Sequence, residues 1–154
     1  GTMILEYARM RYEAKPPTRA NPSDAGLDIY FNPENLESVT IQPGESAVLG
    51  TAYRFGVPHG YMLEVKNRSG LASKRSLVVG ACVIDAGYDG EVLINLHNIG
   101  TEPQEIKVGT KIAQIVMVPV VHFRAIESHG GELYNWYPIA MTERGAGGFG
   151  STGS

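Results

Sequence analysis

The chain has 154 residues, is 43% hydrophobic and 19% charged, and carries a formal net charge of −3, which bounds it to one domain with a genuine core. The acidic balance argues against a direct nucleic-acid binder, but not against a small anionic ligand, whose phosphates a few local cations or a metal can neutralise. Without a run of 18 apolar residues or a basic, apolar leader, and with Cys82 alone, the expectation is a soluble chain with no membrane contact and no intrachain disulfide, at home in a reducing cytoplasm or, for a viral source, the host's.

Taken in order, Gly1-Thr2 ahead of Met3 reads as a cloning remnant. Asp24-Ala-Gly-Leu-Asp28 places two carboxylates at the start of a strand, after an Asn21-Pro22 turn. Asn32-Pro33 and Pro43-Gly44 mark further turns, and residues 47–57 form a β-branched stretch. Tyr61, Leu63 and Val65 alternate with Met62, Glu64 and Lys66, the period of a half-buried strand. A short helix is expected around residues 71–75. Residues 83–92 read as two strands joined by a tight turn, with Asp85 closing the first strand and Tyr88 in the turn. Val92, Ile94 and Leu96 alternate in the same way as residues 61–66. Residues 112–123 are another β-rich stretch, and Pro119 within it predicts an edge position or a bulge. Residues 128–143 read as a connector rich in aromatics (Tyr134, Trp136, Tyr137), either a surface loop or a segment packed on a neighbour. Short strands between frequent turns predict an all-β domain over 1–154: a sandwich, jelly roll or barrel with one short helix.

The chemistry concentrates at a few points. The tail, residues 144–154, holds Arg144, Phe149, Gly150, Ser151 and Thr152 among five glycines. Such a segment can wrap a polyphosphate and cover a flat ring: arginine offers a planar fork, glycine a close backbone approach, and phenylalanine a stacking face. Its G-x-G-x-x-G spacing is not a dinucleotide fingerprint, because only four residues follow. Arg68-Ser-Gly-Leu-Ala72 opens the short helix and reads either as an anion site or as an ordinary cap. Asp85 lies in Val83-Ile-Asp-Ala-Gly-Tyr-Asp-Gly-Glu-Val92. A carboxylate ionised at neutral pH can take the proton of a water attacking phosphorus, although Asp-Ala-Gly alone is also simply a turn. Gln114, in Gly109-Thr-Lys-Ile-Ala-Gln114, reads by itself as a structural amide. Four scattered histidines and one cysteine give little support for zinc.

In this order, AGLD, RSGLA, VIDAGYDG, GTKIAQ and RGAGGFGSTG resemble the five motifs of the trimeric deoxyuridine triphosphate diphosphatases, across residues 24–153. The resemblance implies a distorted jelly-roll subunit in a C3 homotrimer, with residues 144–154 a flexible arm that closes a neighbour's site. It implies hydrolysis of dUTP to dUMP and pyrophosphate with Mg²⁺. In that picture Asp85 activates the water, and Tyr88 packs against deoxyribose and rejects a 2′-hydroxyl. Backbone around Val79, Val83, Ile84 and Leu93 meets uracil and excludes a 5-methyl group. Arg68, Ser69, Gly70 and Gln114 line the phosphate site, and Asp28 holds metal-bound waters from outside the metal's own shell. Arg144, Ser151 and Thr152 clasp the γ-phosphate while Phe149 stacks on uracil, and Gly150 is a further substrate-binding residue of the arm. Two positions depart from the pattern. Asn67 stands where proline is usual, freeing an N–H and loosening the mouth of the site. Cys82 stands where glycine is common, so its thiol narrows the pocket floor or turns into the core. The competing readings are a dCTP deaminase of similar fold and a nucleotide-sensing binding protein using residues 128–143 on a partner.

Overall fold

The computed structural model describes residues 3–140. It divides into two units, Gly1–His122 and Phe123–Ser154. The described part of the second unit, residues 123–140, contains no helix or strand. The Arg144 to Thr152 tail residues named above lie outside the described residues.

The first unit contains eleven strands and one helix: β1 (Glu6–Arg9), β2 (Gly26–Tyr30), β3 (Ser38–Ile41), β4 (Ser46–Gly50), β5 (Tyr53–Gly56), β6 (Tyr61–Lys66), α1 (Ser69–Arg75), β7 (Leu77–Val79), β8 (Val83–Ile84), β9 (Leu93–Asn98), β10 (Gln104–Lys107) and β11 (Lys111–Pro119). The pairing is nested and antiparallel. β2 lies on β11, β3 on β10 and β4 on β9, as though one long ribbon had been folded back and rolled up. β6 and β8 extend the β2–β11 sheet, β7 extends the β4–β9 sheet, and β1 pairs with β5. This wrapped ribbon is jelly-roll-like, and it agrees with the all-β expectation.

Alternation places the core. Leu63 and Val65 in β6, and Ile94 and Leu96 in β9, turn inward, whereas Lys66 and Leu93 face out. Ile29, Phe31, Ile41, Leu49, Leu77, Ile106 and Ile112 join them, each no more than 2% exposed. Fully burying side chains of this size is worth about 1.5–3 kcal/mol apiece before the entropy of ordering them is subtracted. The few buried polar groups are paired. The Asn98 amide donates to the carbonyls of Ile41 (2.9 Å) and Glu102 (2.8 Å) and accepts the Gly100 N–H (2.9 Å).

Three sequence expectations change. Residues 47–57 are two strands in different sheets, because Ala52 adopts φ +63° between them and turns the chain. Residues 83–92 are not a paired hairpin: β8 pairs with β6, while β9 pairs with β4 and β7, so the turn between them bridges two sheets. β11 is an interior strand. Pro119 is tolerated because the β2 ladder has already ended at Val116, and the register shift lies elsewhere, between Lys111 and Ala113.

Candidate active site

The sequence-predicted residues of the first unit fall into two clusters. The first is a cavity of about 220 Å³ lined by Val83, Ile84, Asp85, Tyr88, Val92 and Leu93. Ile84 and Val92 are buried and form its apolar base, while Val83, Asp85, Tyr88 and Leu93 are exposed at its rim. Asp85 opens a turn closed by the Tyr88 N–H on the Asp85 carbonyl at 3.2 Å, and Gly87 in third position has φ +83°. That conformation favours glycine, so the sequence Asp-Ala-Gly-Tyr dictates the turn that presents the carboxylate. Among the described residues, the Asp85 carboxylate makes no hydrogen bond or ion pair, which leaves it available to an incoming proton.

The turn is pinned to residues 51–57. The Gly87 N–H reaches the Val57 carbonyl (3.4 Å), and the Val92 N–H reaches the Tyr53 carbonyl (2.9 Å). The Thr51 hydroxyl donates to the Val92 carbonyl at 2.7 Å. Glu91 accepts the Ala52 N–H (2.9 Å) and pairs with Arg11 (3.2 Å). Arg54 pairs with Asp89 at 2.8 Å, but both side chains are well exposed, so that contact adds little. Arg11, Thr51, Arg54 and Glu91 were not anticipated from sequence. Glu91 directly follows the VIDAGYDG motif, whereas Arg11 gives no local signal.

The second cluster surrounds Asp28, in β2. Its carboxylate binds Arg68, at the N-cap of α1, and Lys111 (3.6 Å), in β11. Arg68 itself has extended backbone, and the helix has neither a side-chain cap nor an acid in its first turn, which leaves Ser69 and Gly70 exposed at an N-terminus without a competing carboxylate. Gln114 donates to the Asn67 carbonyl at 3.1 Å. A Cβ at Gly26 would meet the Ile115 carbonyl at 2.8 Å and the Gln114 Oε1 at 3.0 Å, so glycine lets β2 lie this close to β11. The Asn67 side-chain oxygen accepts the Val79 N–H at 2.7 Å and ties β7 to the end of β6. Cys82 is exposed, so its thiol does not turn into the core, and its carbonyl accepts the Val65 N–H (2.7 Å). Among the described residues no hydrogen bond or ion pair joins the two clusters.

Lys66 has a displaced titration. The hydrogen bond and charge of Glu64, 2.9 Å away, raise its ammonium above the ordinary value of 10.5. No group of three or more His, Cys, Asp or Glu among the described residues forms a metal cage. Asp28 is already paired with two cations, Arg68 and Lys111. No helix among the described residues is long and apolar enough to cross a membrane.

The family model described as dUTPase matches residues 12–153. Human mitochondrial deoxyuridine 5′-triphosphate nucleotidohydrolase is 39% identical over 153 residues, which is 99% of this chain and 56% of that protein. The enzyme of the same name from Nautilia profundicola is 38% identical, covering 98% of this chain and 99% of its own length. Among solved structures, a Staphylococcus bacteriophage 80alpha dUTPase variant with dUpNHpp superposes with a TM-score of 0.83 at 29% identity, covering 99% of this chain and 100% of that one. A phage phi11 dUTPase variant, in which a structural Mg(II) ion is coordinated, superposes with a TM-score of 0.74 at 28% identity over 82% of this chain and 97% of that one. The chain belongs to the dUTPase family.

Proposed function

We propose that the chain hydrolyses dUTP to dUMP and pyrophosphate, so limiting uracil entry into DNA and supplying dUMP. The observation that carries the reading is the Asp85 cavity: an exposed carboxylate, without a partner among the described residues, on a hydrogen-bonded turn beside an apolar base and an aromatic ring. Asp85 takes a proton from a water that attacks the α-phosphorus in line, transferring it as the bond to phosphorus forms. Holding water and phosphorus together contributes through orientation, and a water-poor cavity strengthens each electrostatic contact. Tyr88 packs against deoxyribose. Backbone groups near Val79, Val83, Ile84 and Leu93 bind uracil and leave no room for a 5-methyl group.

Arg68, Ser69, Gly70 and Gln114 line the phosphate site in this reading. Arg68 exchanges Asp28 for a phosphate oxygen, and Asp28, left with Lys111, turns toward metal-bound water. When bound on the triphosphate, Mg²⁺ supplies charge neutralisation. The family resemblance supports a homotrimer in which different copies supply the Asp85 and Asp28 clusters to one site. The tail residues Arg144, Phe149, Gly150, Ser151 and Thr152 then seal it from a third copy. A cytoplasmic location belongs to the same proposal.

The test is incubation with dUTP, dTTP, UTP and dCTP plus Mg²⁺ in oxygen-18 water. The expected result is pyrophosphate from dUTP alone, with the label in dUMP. Label in pyrophosphate would move the attack to another phosphorus, and ammonia from dCTP would make the chain a deaminase.

A further inference from the structure

Residues 87–91 contain two glycines that serve different physical ends. Gly87 has φ +83° and makes the turn. Gly90 lies outside the left-handed region, so its backbone is open to any residue. What Gly90 supplies is space: a Cβ there would sit 2.5 Å from Tyr88 Oη, 2.8 Å from Cζ and 3.2 Å from Cε1. The Tyr88 ring therefore rests directly on the bare Gly90 backbone. Its hydroxyl donates to the Glu91 carbonyl at 2.9 Å, closing the far end. Glu91 in turn is fixed through its carboxylate to the Ala52 N–H (2.9 Å) and Arg11 (3.2 Å). Gly50 makes that approach possible, since a Cβ on it would meet Glu91 Oε2 at 2.7 Å.

We propose that Gly90 is a specificity-determining residue: it is the seat that sets how far the Tyr88 ring reaches into the cavity, and the Glu91 carbonyl is the latch that holds it there. The inference rests on the reading of Tyr88 as the group facing the sugar. An exposed tyrosine otherwise samples several staggered rotamers and makes a poor gauge for one oxygen atom. Seat and latch together leave one ring position. Discrimination by exclusion requires that position to be fixed, because a ring that retreats by about 1 Å gives up much of its contact.

The experiment is Gly90→Ala, measured as kcat/KM for dUTP and for UTP. The added methyl meets only the end of a side chain, so the fold is expected to stay intact by circular dichroism while the ring leaves its seat. The dUTP/UTP preference is expected to fall about tenfold or more, the scale at which a single methyl-sized misfit separates substrates. A merely structural role would lower both substrates alike and leave the ratio unchanged. A ratio within about twofold of wild type in a folded Gly90→Ala protein overturns the proposal. Should that variant not fold, Tyr88→Phe removes only the latch hydroxyl and is expected to lower the same ratio; an unchanged ratio there overturns the proposal as well. A wild-type protein that hydrolyses dUTP and UTP equally would instead sink the reading of Tyr88 itself, and is told apart by the unmutated control.

Discussion

Replacing Glu91 by alanine tests whether the Asp85 turn is held from behind. The Ala52 N–H is fully buried and points at Glu91 Oε2 from 2.9 Å. Ala52 also sits at φ +63°, a backbone position that alanine rarely occupies and that this hydrogen bond helps to hold. Glu91→Ala strands that N–H where water does not reach, at a cost of about 1–3 kcal/mol. Loss of the partly buried Arg11 pair adds no more than about 1 kcal/mol. A total near 2–3 kcal/mol corresponds to a Tm drop of about 5–10 °C for a chain of this size. Glu91→Gln keeps a side-chain oxygen for the Ala52 N–H and loses only the charge, so its expected drop is less than half as large. Calorimetry at matched protein concentration reads both, and amide exchange at Ala52 reports the local opening. Equal Tm shifts in the two variants, or unchanged exchange at Ala52 in Glu91→Ala, would refute the reasoning.

Other consequences follow from the same geometry. Asn67→Ala releases the Val79 N–H, with an expected loss of about 1 kcal/mol in stability and a raised KM for dUTP, both read from one purified variant. The Lys66–Glu64 pair has a signed pH effect. The lysine's folded pKa lies above 10.5, so its small contribution is complete below that value and is lost as pH rises through the raised one. Alkaline titration by NMR should show the Lys66 shift vanish in Glu64→Gln. Truncation after Glu143 removes the proposed seal, and should abolish dUTP turnover while leaving the melting of the first unit in place.

Much of this molecule was legible in its residues. Alternation at 61–66 and 92–96 located two core strands, and the Asp-Ala-Gly-Tyr order fixed a turn that needs glycine at residue 87. What sequence could not supply was pairing across distance. The 83–92 segment looks like a hairpin, yet only Val83–Ile84 is a strand, paired with β6, and the chain then crosses to β9, which starts at Leu93 and pairs with β4 and β7. Local pattern does not rank such partners. The Asp28 site shows the same limit. A first-motif acid was visible, but its ties to Arg68 and Lys111 come from strands and a helix end that meet only in the fold. At Asn67 the sequence comparison with proline drew attention to a freed donor, and the fold adds what it could not show, a side-chain acceptor that the Val79 N–H uses.

The most direct test is Asp85→Asn, an isosteric change that removes the proton acceptor and leaves the cavity's shape. Binding of a non-hydrolysable dUTP analogue by calorimetry, alongside pyrophosphate release from dUTP, should show affinity near wild type and turnover lower by about two to four orders of magnitude, the range of a positioned general base. Turnover close to wild type in a variant that still binds would contradict the assignment of Asp85 as the base.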